Sequence, residues 1–584
     1  MIESENGKDY NKEYMKLLVQ YMKNYKKECI LGPLFKLCEA GLELMVPLII
    51  ASIVDQALPA FDRQKIVMNF VLLLLLAMCG CVFAVSAQYF SAKAAVGSVG
   101  DMKADLFSHI QTFGYREMDE VGSSTLITRL GNDMNQIQNG INLFLRLFLR
   151  SPFIVFGAIF MAFTIDSSLS LIFLGMMLLM FLVVLMIMLI SIPLVKKSAK
   201  VLDKMTQRVR ENLSGIRVIK AFQIEEKQAN ELDEENKAFT SIALLIGKIN
   251  AFLNPLTTLI LYLAMILLIH QGAIQVNLGN LSQGNLIALV SYMSAILVEL
   301  VKLVNLILQL SKGLASATRV EEIFQIKSGY VSGTKRIQKN SEPLISLKHV
   351  GYRYGDDAKE SVHDISFELH EHEKLGIIGP TGSGKSTLVH LMNRFYDATS
   401  GTIQLYGEDI RHYDLHELLS FMKIVPQQAI LFQGTLRDNL LWGNQEASDE
   451  EIIEACHHAQ MHDFVDENGL DFVLEQNGLN LSGGQRQRLC IARALLSHPK
   501  VLFLDASTSA LDYKTEKDLK EALNKHYSCT LITITQRISS IQNCDLIVVM
   551  DQGNMVGCGR HEELLANCEM YQKIYASNQG GVAA

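Results

Sequence analysis

Apolar residues in the first half of the chain gather into six runs. Each is near the ~20 residues that a helix needs to cross a hydrocarbon core. They cover approximately 30–54, 66–90, 144–163, 169–194, 249–269 and 286–310. A soluble core helix would be shorter and amphipathic. The run at 169–194 is apolar all round, so its methionines (Met176, Met177, Met180, Met186 and Met188) read as lipid-facing filler. Short loops follow the first, third and fifth runs. Long charged segments, 93–142 and 196–248, follow the second and fourth. Apolar residues in these segments keep helical spacing, as in Leu126, Ile127, Leu130, Met134 and Ile137. The spans are therefore predicted to continue as helices well beyond the membrane. Each long segment has room for one short turn, near 117–124 and 217–223.

Basic residues crowd the N-terminus and both long segments, as in Lys196, Lys197, Lys200, Lys204, Arg208 and Arg210. The positive-inside rule places these parts in the cytoplasm, and an even number of spans places the C-terminal half there too. Residues 15–27 mix lysines with Leu17, Leu18, Val19, Tyr21 and Met22, which predicts an amphipathic helix on the membrane surface. The main charged residues inside the runs are Glu39, Glu43, Glu299 and Lys302. Charge is costly there, so each reads either as cavity-facing or as half of an intramembrane ion pair. Arg146 and Arg150 lie near a span end and are expected to snorkel.

The composition changes over 312–342, where Gly329, Ser332, Gly333, Lys335, Arg336 and Lys339 mark a linker. Beyond it, strand and helix signals alternate, which predicts an α/β domain with an antiparallel strand-rich edge. The expected organisation is an N-terminal surface helix (1–28), a membrane domain (29–312), the linker (313–342) and the α/β domain (343–584). At 584 residues the chain is too long for one core. Its 49% hydrophobic and 20% charged content fits a membrane part joined to a soluble part. A net charge of −8 gives no support to nucleic-acid binding. The 10 cysteines lack zinc spacing and suit a reducing compartment. The polar, acidic start of the chain does not resemble a cleavable signal peptide.

Chemistry concentrates in the second half. Gly379-Pro380-Thr381-Gly382-Ser383-Gly384-Lys385-Ser386-Thr387 follows the apolar Leu375–Ile378 and precedes a helical run. This is a strand, a glycine-rich loop and a helix with the spacing of a phosphate-binding loop. Glycines let backbone N–H groups close around a phosphate, and the helix N-terminus adds partial positive charge. Lys385 supplies a full charge for the β and γ phosphates, and Ser386 offers a hydroxyl to Mg2+. Val501–Asp505 is an apolar strand ending in an acid, suited to a magnesium or its water opposite that loop. Ser482-Gly483-Gly484-Gln485 opens a second helix and makes a second anion site. One chain cannot easily fold both sites onto a single ATP, so two domains are expected to sandwich the nucleotide.

Together these elements resemble the ATP-binding cassette exporters in their half-transporter form, over nearly the whole chain. The resemblance implies a six-helix membrane domain of the type IV exporter fold followed by an α/β P-loop nucleotide-binding domain. It implies ATP and Mg2+ as cofactors and a cell-membrane location. Residues 481–485 match the family signature, 501–505 the Walker B strand, and Ser509-Ala510-Leu511-Asp512 the D-loop. Gln427 is similar to the glutamine that senses magnesium, and Tyr354 to the aromatic that stacks on adenine. The turns near 117–124 and Phe222 resemble the coupling helices that dock on the cassettes. A second half-transporter chain is implied as partner, with each ATP site pairing one chain's phosphate loop with the other's signature.

Two positions depart from the family pattern. Where a catalytic glutamate follows the Walker B aspartate, this chain has Ala506, and where a switch histidine precedes an arginine, it has Gln536. Both belong to the site built on this chain's own loop, whereas the signature is intact. The pattern resembles the degenerate-site subunit of a heterodimeric exporter. A homodimer with an engineered inactivating substitution at Ala506, an ATP-gated regulator and an importer on the same frame stay open. The cargo is expected to be amphipathic: a lipid, a drug or a peptide.

Overall fold

The computed structural model describes residues 10–580 except 328, 330, 341, 356–358 and 508–510. Ser509 and Ala510 of the expected D-loop lie outside the described residues. Contacts divide the chain into two units: Met1–Gln111 with Gly122–Ile326, and Thr112–Val121 with Lys327–Ala584.

The first unit is helical. Among the described residues, six helical stretches are long and apolar enough to cross a membrane: Tyr14–Ala57, Arg63–Gln111, Ser123–Ile165, Ser167–Ser214, Pro255–Asn277 and Gln283–Gln325. At 1.5 Å per residue the 49-residue helix Arg63–Gln111 is about 70 Å long, more than twice a hydrocarbon core. Its second half must therefore stand outside the bilayer, as the polar periodicity predicts. The start of the fifth span departs from the expected 249–269. The helix Glu225–Ala251 ends first, and the apolar helix begins at Leu253, with Pro255 in its opening turn, where its missing N–H is tolerated. The turn expected near 217–223 is a short helix, Ile216–Phe222, with Phe222 73% exposed.

Two expectations for the first unit are corrected. Met176 and Met180 are buried in its core beside Phe173 rather than facing lipid, whereas Met186 is exposed. Arg150 does not snorkel: it is 6% exposed and occupies the centre of an ion cluster. It donates through Nη1 to Glu299 Oε1 at 2.5 Å and through Nη2 to Glu43 Oε2 at 2.7 Å. Lys302 and Ser151 also donate to Glu299, both at 2.8 Å. A guanidinium presents several donors in a rigid fork, so joining two helices' carboxylates satisfies it better than a reach to water.

The second unit carries two main sheets. The smaller is antiparallel, in the order Val362–Leu369, Ile345–Tyr352, Ser400–Leu405, Glu408–Asp409. The larger runs Asn554–Gly559, Leu546–Asp551, Leu375–Ile378, Thr530–Thr535, Val501–Asp505, Met422–Val425, parallel except at its first pair. Its central strands are buried along their whole length, which is why they read as unbroken apolar runs. Helices Asp449–His458 and Gly483–Leu495 enclose a second core. The short helix Tyr115–Val121 also belongs to this unit.

Candidate active site

The strand Leu375–Ile378 lies between Thr530–Thr535 and Leu546–Asp551, so the loop at its C-terminal end emerges mid-sheet. Helix Lys385–Met392 begins directly after the loop. Gly384 has φ +93°, and a Cβ there would come within 2.4 Å of the Ser361 carbonyl. Only glycine fits that position. Lys385 is buried, and its Nζ donates to the carbonyls of Gly379 and Pro380 at 2.9 and 2.7 Å. Burial depresses its pKa, an effect that Asp505 opposes.

Asp505 closes its strand and is 5% exposed. The Ser386 hydroxyl donates to its Oδ1 at 3.4 Å. Burial pushes the Asp505 carboxyl up, against the pull of His390, Ser386 and Lys385. Two hard oxygen donors thus converge on one point, and one is a buried carboxylate. That donor set fits Mg2+. A cavity of about 460 Å³ opens over the loop. It is lined by residues 382–387, by 359–361 and by Gln552 and Gly553.

The remaining residues singled out in the sequence surround this centre unevenly. Tyr354 hydrogen-bonds through its hydroxyl to Thr387 Oγ1 at 3.1 Å, and its half-exposed ring meets Tyr352 and Tyr396 edge-on. Gln536 follows strand Thr530–Thr535, and its Nε2 donates to Thr381 Oγ1 at 3.2 Å. Ala506 follows Asp505 with φ +46°, fixed by its N–H donating to Ile534 O at 2.9 Å. Its methyl group can neither accept a proton nor hold a water. Gln427 is exposed two residues beyond the strand Met422–Val425.

The signature residues stand apart from the loop. Ser482 caps helix Gly483–Leu495 in a reciprocal box with Gln485, and Gly483 and Gly484 form the first turn. None of 482–485 lines the cavity over the loop. The helix is tied to the Gln427 segment, because Gln487 Nε2 donates to Pro426 O at 3.0 Å. Asp512 caps the next helix, Tyr513–His526, accepting from the Thr515 N–H and hydroxyl, which hold its carboxyl low.

The sequence reading missed an aromatic cluster that joins the short helix Tyr115–Val121 to the phosphate-loop helix. Tyr115 stacks on Phe395 with centroids 4.2 Å apart, and the Tyr396 hydroxyl donates to Asp119 at 2.5 Å. His390, on the phosphate-loop helix, lies 6.0 Å from the Tyr396 ring, and burial lowers its pKa. The pair Phe395-Tyr396 at the end of that helix was the available signal. Lys359, Glu360 and Ser361 over the loop carried none.

Comparison with known families places this arrangement. The model for the ABC transporter transmembrane region matches residues 29–301, and the ABC transporter model matches 362–509. The Bacillus subtilis protein named "Uncharacterized ABC transporter ATP-binding protein YfiB" is 31% identical over 568 residues, covering 97% of this chain and 99% of that protein. The chain belongs to the ABC transporter family. A Mycobacterium tuberculosis relative, also named as an ABC transporter ATP-binding protein, is 31% identical over 567 residues, 96% of this chain and 97% of its own length. Among solved structures, a bacterial Atm1-family ABC exporter with ATP bound shares the fold, with a TM-score of 0.79. It is 23% identical, and the match covers 94% of this chain and 98% of that one. This ABC transporter is thus a multi-pass membrane protein with six apolar helices and an α/β ATP-binding domain, and it carries the ATPase/translocase activity of that domain.

Proposed function

We propose that this ABC transporter is one subunit of a heterodimeric exporter. In this reading its own ATP site binds nucleotide without turning it over efficiently, and its signature completes the working site of a partner half-transporter. The observation that carries the reading is the pairing of Ala506 with Gln536. Both stand beside an otherwise complete phosphate loop, and the capped signature helix is intact. Loss of a general base or water-orienting group typically costs ~10²–10⁴ in rate. A glutamine can hydrogen-bond a γ-phosphate but cannot carry the charge of an imidazolium.

In the same reading Tyr354 stacks on adenine, and Gly379, Thr381, Gly382, Ser383, Gly384 and Thr387 cradle phosphates through backbone and side-chain donors. Lys385 pairs with the β and γ phosphates. Ser386, Gln427 and Asp505 would hold Mg2+, directly or through water, and the ion neutralises phosphate charge when bound. Ser482, Gly483, Gly484, Gln485 and Asp512 face the partner's nucleotide. The N-terminus and ATP-binding domain lie in the cytoplasm, with the spans in the cell membrane, following the basic residues of the long segments. The cargo is an amphipathic, lipid-like, drug or peptide molecule, and export is the direction associated with this fold. Labelled ATP trapped in the purified pair and recovered from this chain tests the reading. It should be recovered mostly as ATP, and recovery mainly as ADP would contradict the degenerate site.

A further inference from the structure

A second cavity in the ATP-binding domain, of about 260 Å³, lies behind the segment that carries Gln536. Its floor is strand Thr530–Thr535, through Leu531 and Thr533. One wall is helix Tyr513–His526, and the other is residues 539–544, with Lys374 between them. The lining is more polar than apolar and carries three lysines (Lys374, Lys517, Lys520) against two glutamates (Glu516, Glu521). Lys520 is committed, donating to Glu516 at 2.6 Å and to the Ser540 carbonyl at 2.7 Å. Lys517 is held only loosely, 3.8 Å from Glu521 and largely exposed.

The cavity also contains an unsatisfied group. Ser540 is 9% exposed, and its hydroxyl has no hydrogen-bond partner among the described residues. Buried hydroxyls are nearly always paired, so an orphan in a polar cavity marks a place for a ligand atom or a water. Burial pushes the Cys544 thiol in the same wall up to about 11, an effect that Lys520 and Lys374 oppose and Asp545 reinforces. Asn524, Gln542 and Asn543 add amide groups. An apolar guest would strand these polar groups, whereas a small anion with hydrogen-bonding oxygens would pair with them.

We propose that this cavity binds a small dianion, phosphoryl or dicarboxylate, held by Lys517, Lys374 and the Ser540 hydroxyl. An occupant tying helix Tyr513–His526 to residues 539–544 would restrain two elements at once. Asp512 caps the start of that helix, and Gln536 stands three residues before Ser539. Occupancy thereby regulates ATP hydrolysis at the working site through Asp512, which opens the same helix. This regulatory step rests on the reading of Asp512 as facing the partner's nucleotide, and the binding step does not.

Equilibrium dialysis of labelled malate and of labelled inorganic phosphate against the full-length pair in nanodiscs tests the binding step. A Lys385→Ala background keeps the phosphate loop from capturing the probes. At least one of them should bind below ~10 mM, with affinity about tenfold weaker in Lys517→Glu and measurably weaker in Ser540→Ala. The arm that binds identifies the anion as phosphoryl or carboxylate. Absence of binding by both probes, or binding indifferent to Lys517→Glu, overturns the site. In the pair with Lys385 intact, at fixed free Mg2+, the binding probe should change steady-state ATPase at least about twofold, and Lys517→Glu should abolish that response. Binding that leaves hydrolysis unchanged overturns the regulatory step alone.

Discussion

The side-chain amide of Gln536 donates to the Thr381 hydroxyl across 3.2 Å, which ties the residue after a core strand to the phosphate loop. Gln536 therefore contacts the loop directly, as its proposed role in the site requires. Restoring one missing group should consequently do little. Ala506→Glu is expected to raise the ATPase of the pair by less than about twofold, because Gln536 still cannot supply an imidazole's charge. The left-handed backbone at position 506 tolerates glutamate no worse than alanine, so a poor gain would not reflect new strain. Steady-state phosphate release checks this, and a gain of tenfold or more would show that the base alone was missing.

Tyr396 bridges the phosphate-loop region and the short helix Tyr115–Val121 through its bond to Asp119. Burial and the neighbouring carboxylate push the hydroxyl's pKa up, so it remains a donor at physiological pH. Tyr396→Phe removes that donor and keeps the ring packing. The bond is expected to contribute about 1 kcal/mol, since Asp119 is exposed and can be resolvated. Transport per ATP hydrolysed in vesicles should fall severalfold while ATP affinity stays within about twofold. An unchanged ratio would remove this pair from the coupling route.

Arg150 serves Glu43 and Glu299 at once. Among the described residues, Arg150→Ala would leave Glu299, 2% exposed, with Lys302 and Ser151 as its partners. Breaking a buried pair from one side costs about 3–5 kcal/mol, and removing both charges costs less. The purified chain should therefore melt lower with Arg150→Ala than with Arg150→Met combined with Glu299→Gln. Equal melting temperatures would assign the cluster no structural role.

The sequence made the six spans and the phosphate loop legible because each is local. Length and apolarity define a span, and G-x-x-x-x-G-K-S lies within eight residues. Asp505 was legible for the same reason, as the polar end of an apolar strand. What depends on tertiary pairing was not legible. Arg150 looked like a span-end residue because its partners Glu43 and Glu299 lie 107 and 149 positions away. Met176 and Met180 looked lipid-facing because an all-apolar helix carries no mark of which side meets its neighbours. The Tyr115–Phe395 stack joins segments 280 positions apart, and neither sequence carries a matching pattern.

The central claim is that this chain caps the working site of its partner, and steady-state ATPase of the purified pair with Ser482→Arg tests it most directly. Ser482 caps its helix through Gln485; in the proposed reading the N–H groups of that first turn are the donors offered to the partner's γ-phosphate. Preorganised donors of this kind contribute several kcal/mol to phosphoryl transfer. An arginine at the cap should block them and remove nearly all hydrolysis, on the order of a hundredfold. If hydrolysis survives Ser482→Arg, the working site is not the one this chain completes. A homodimer with an inactivating substitution at Ala506 would then replace the heterodimer.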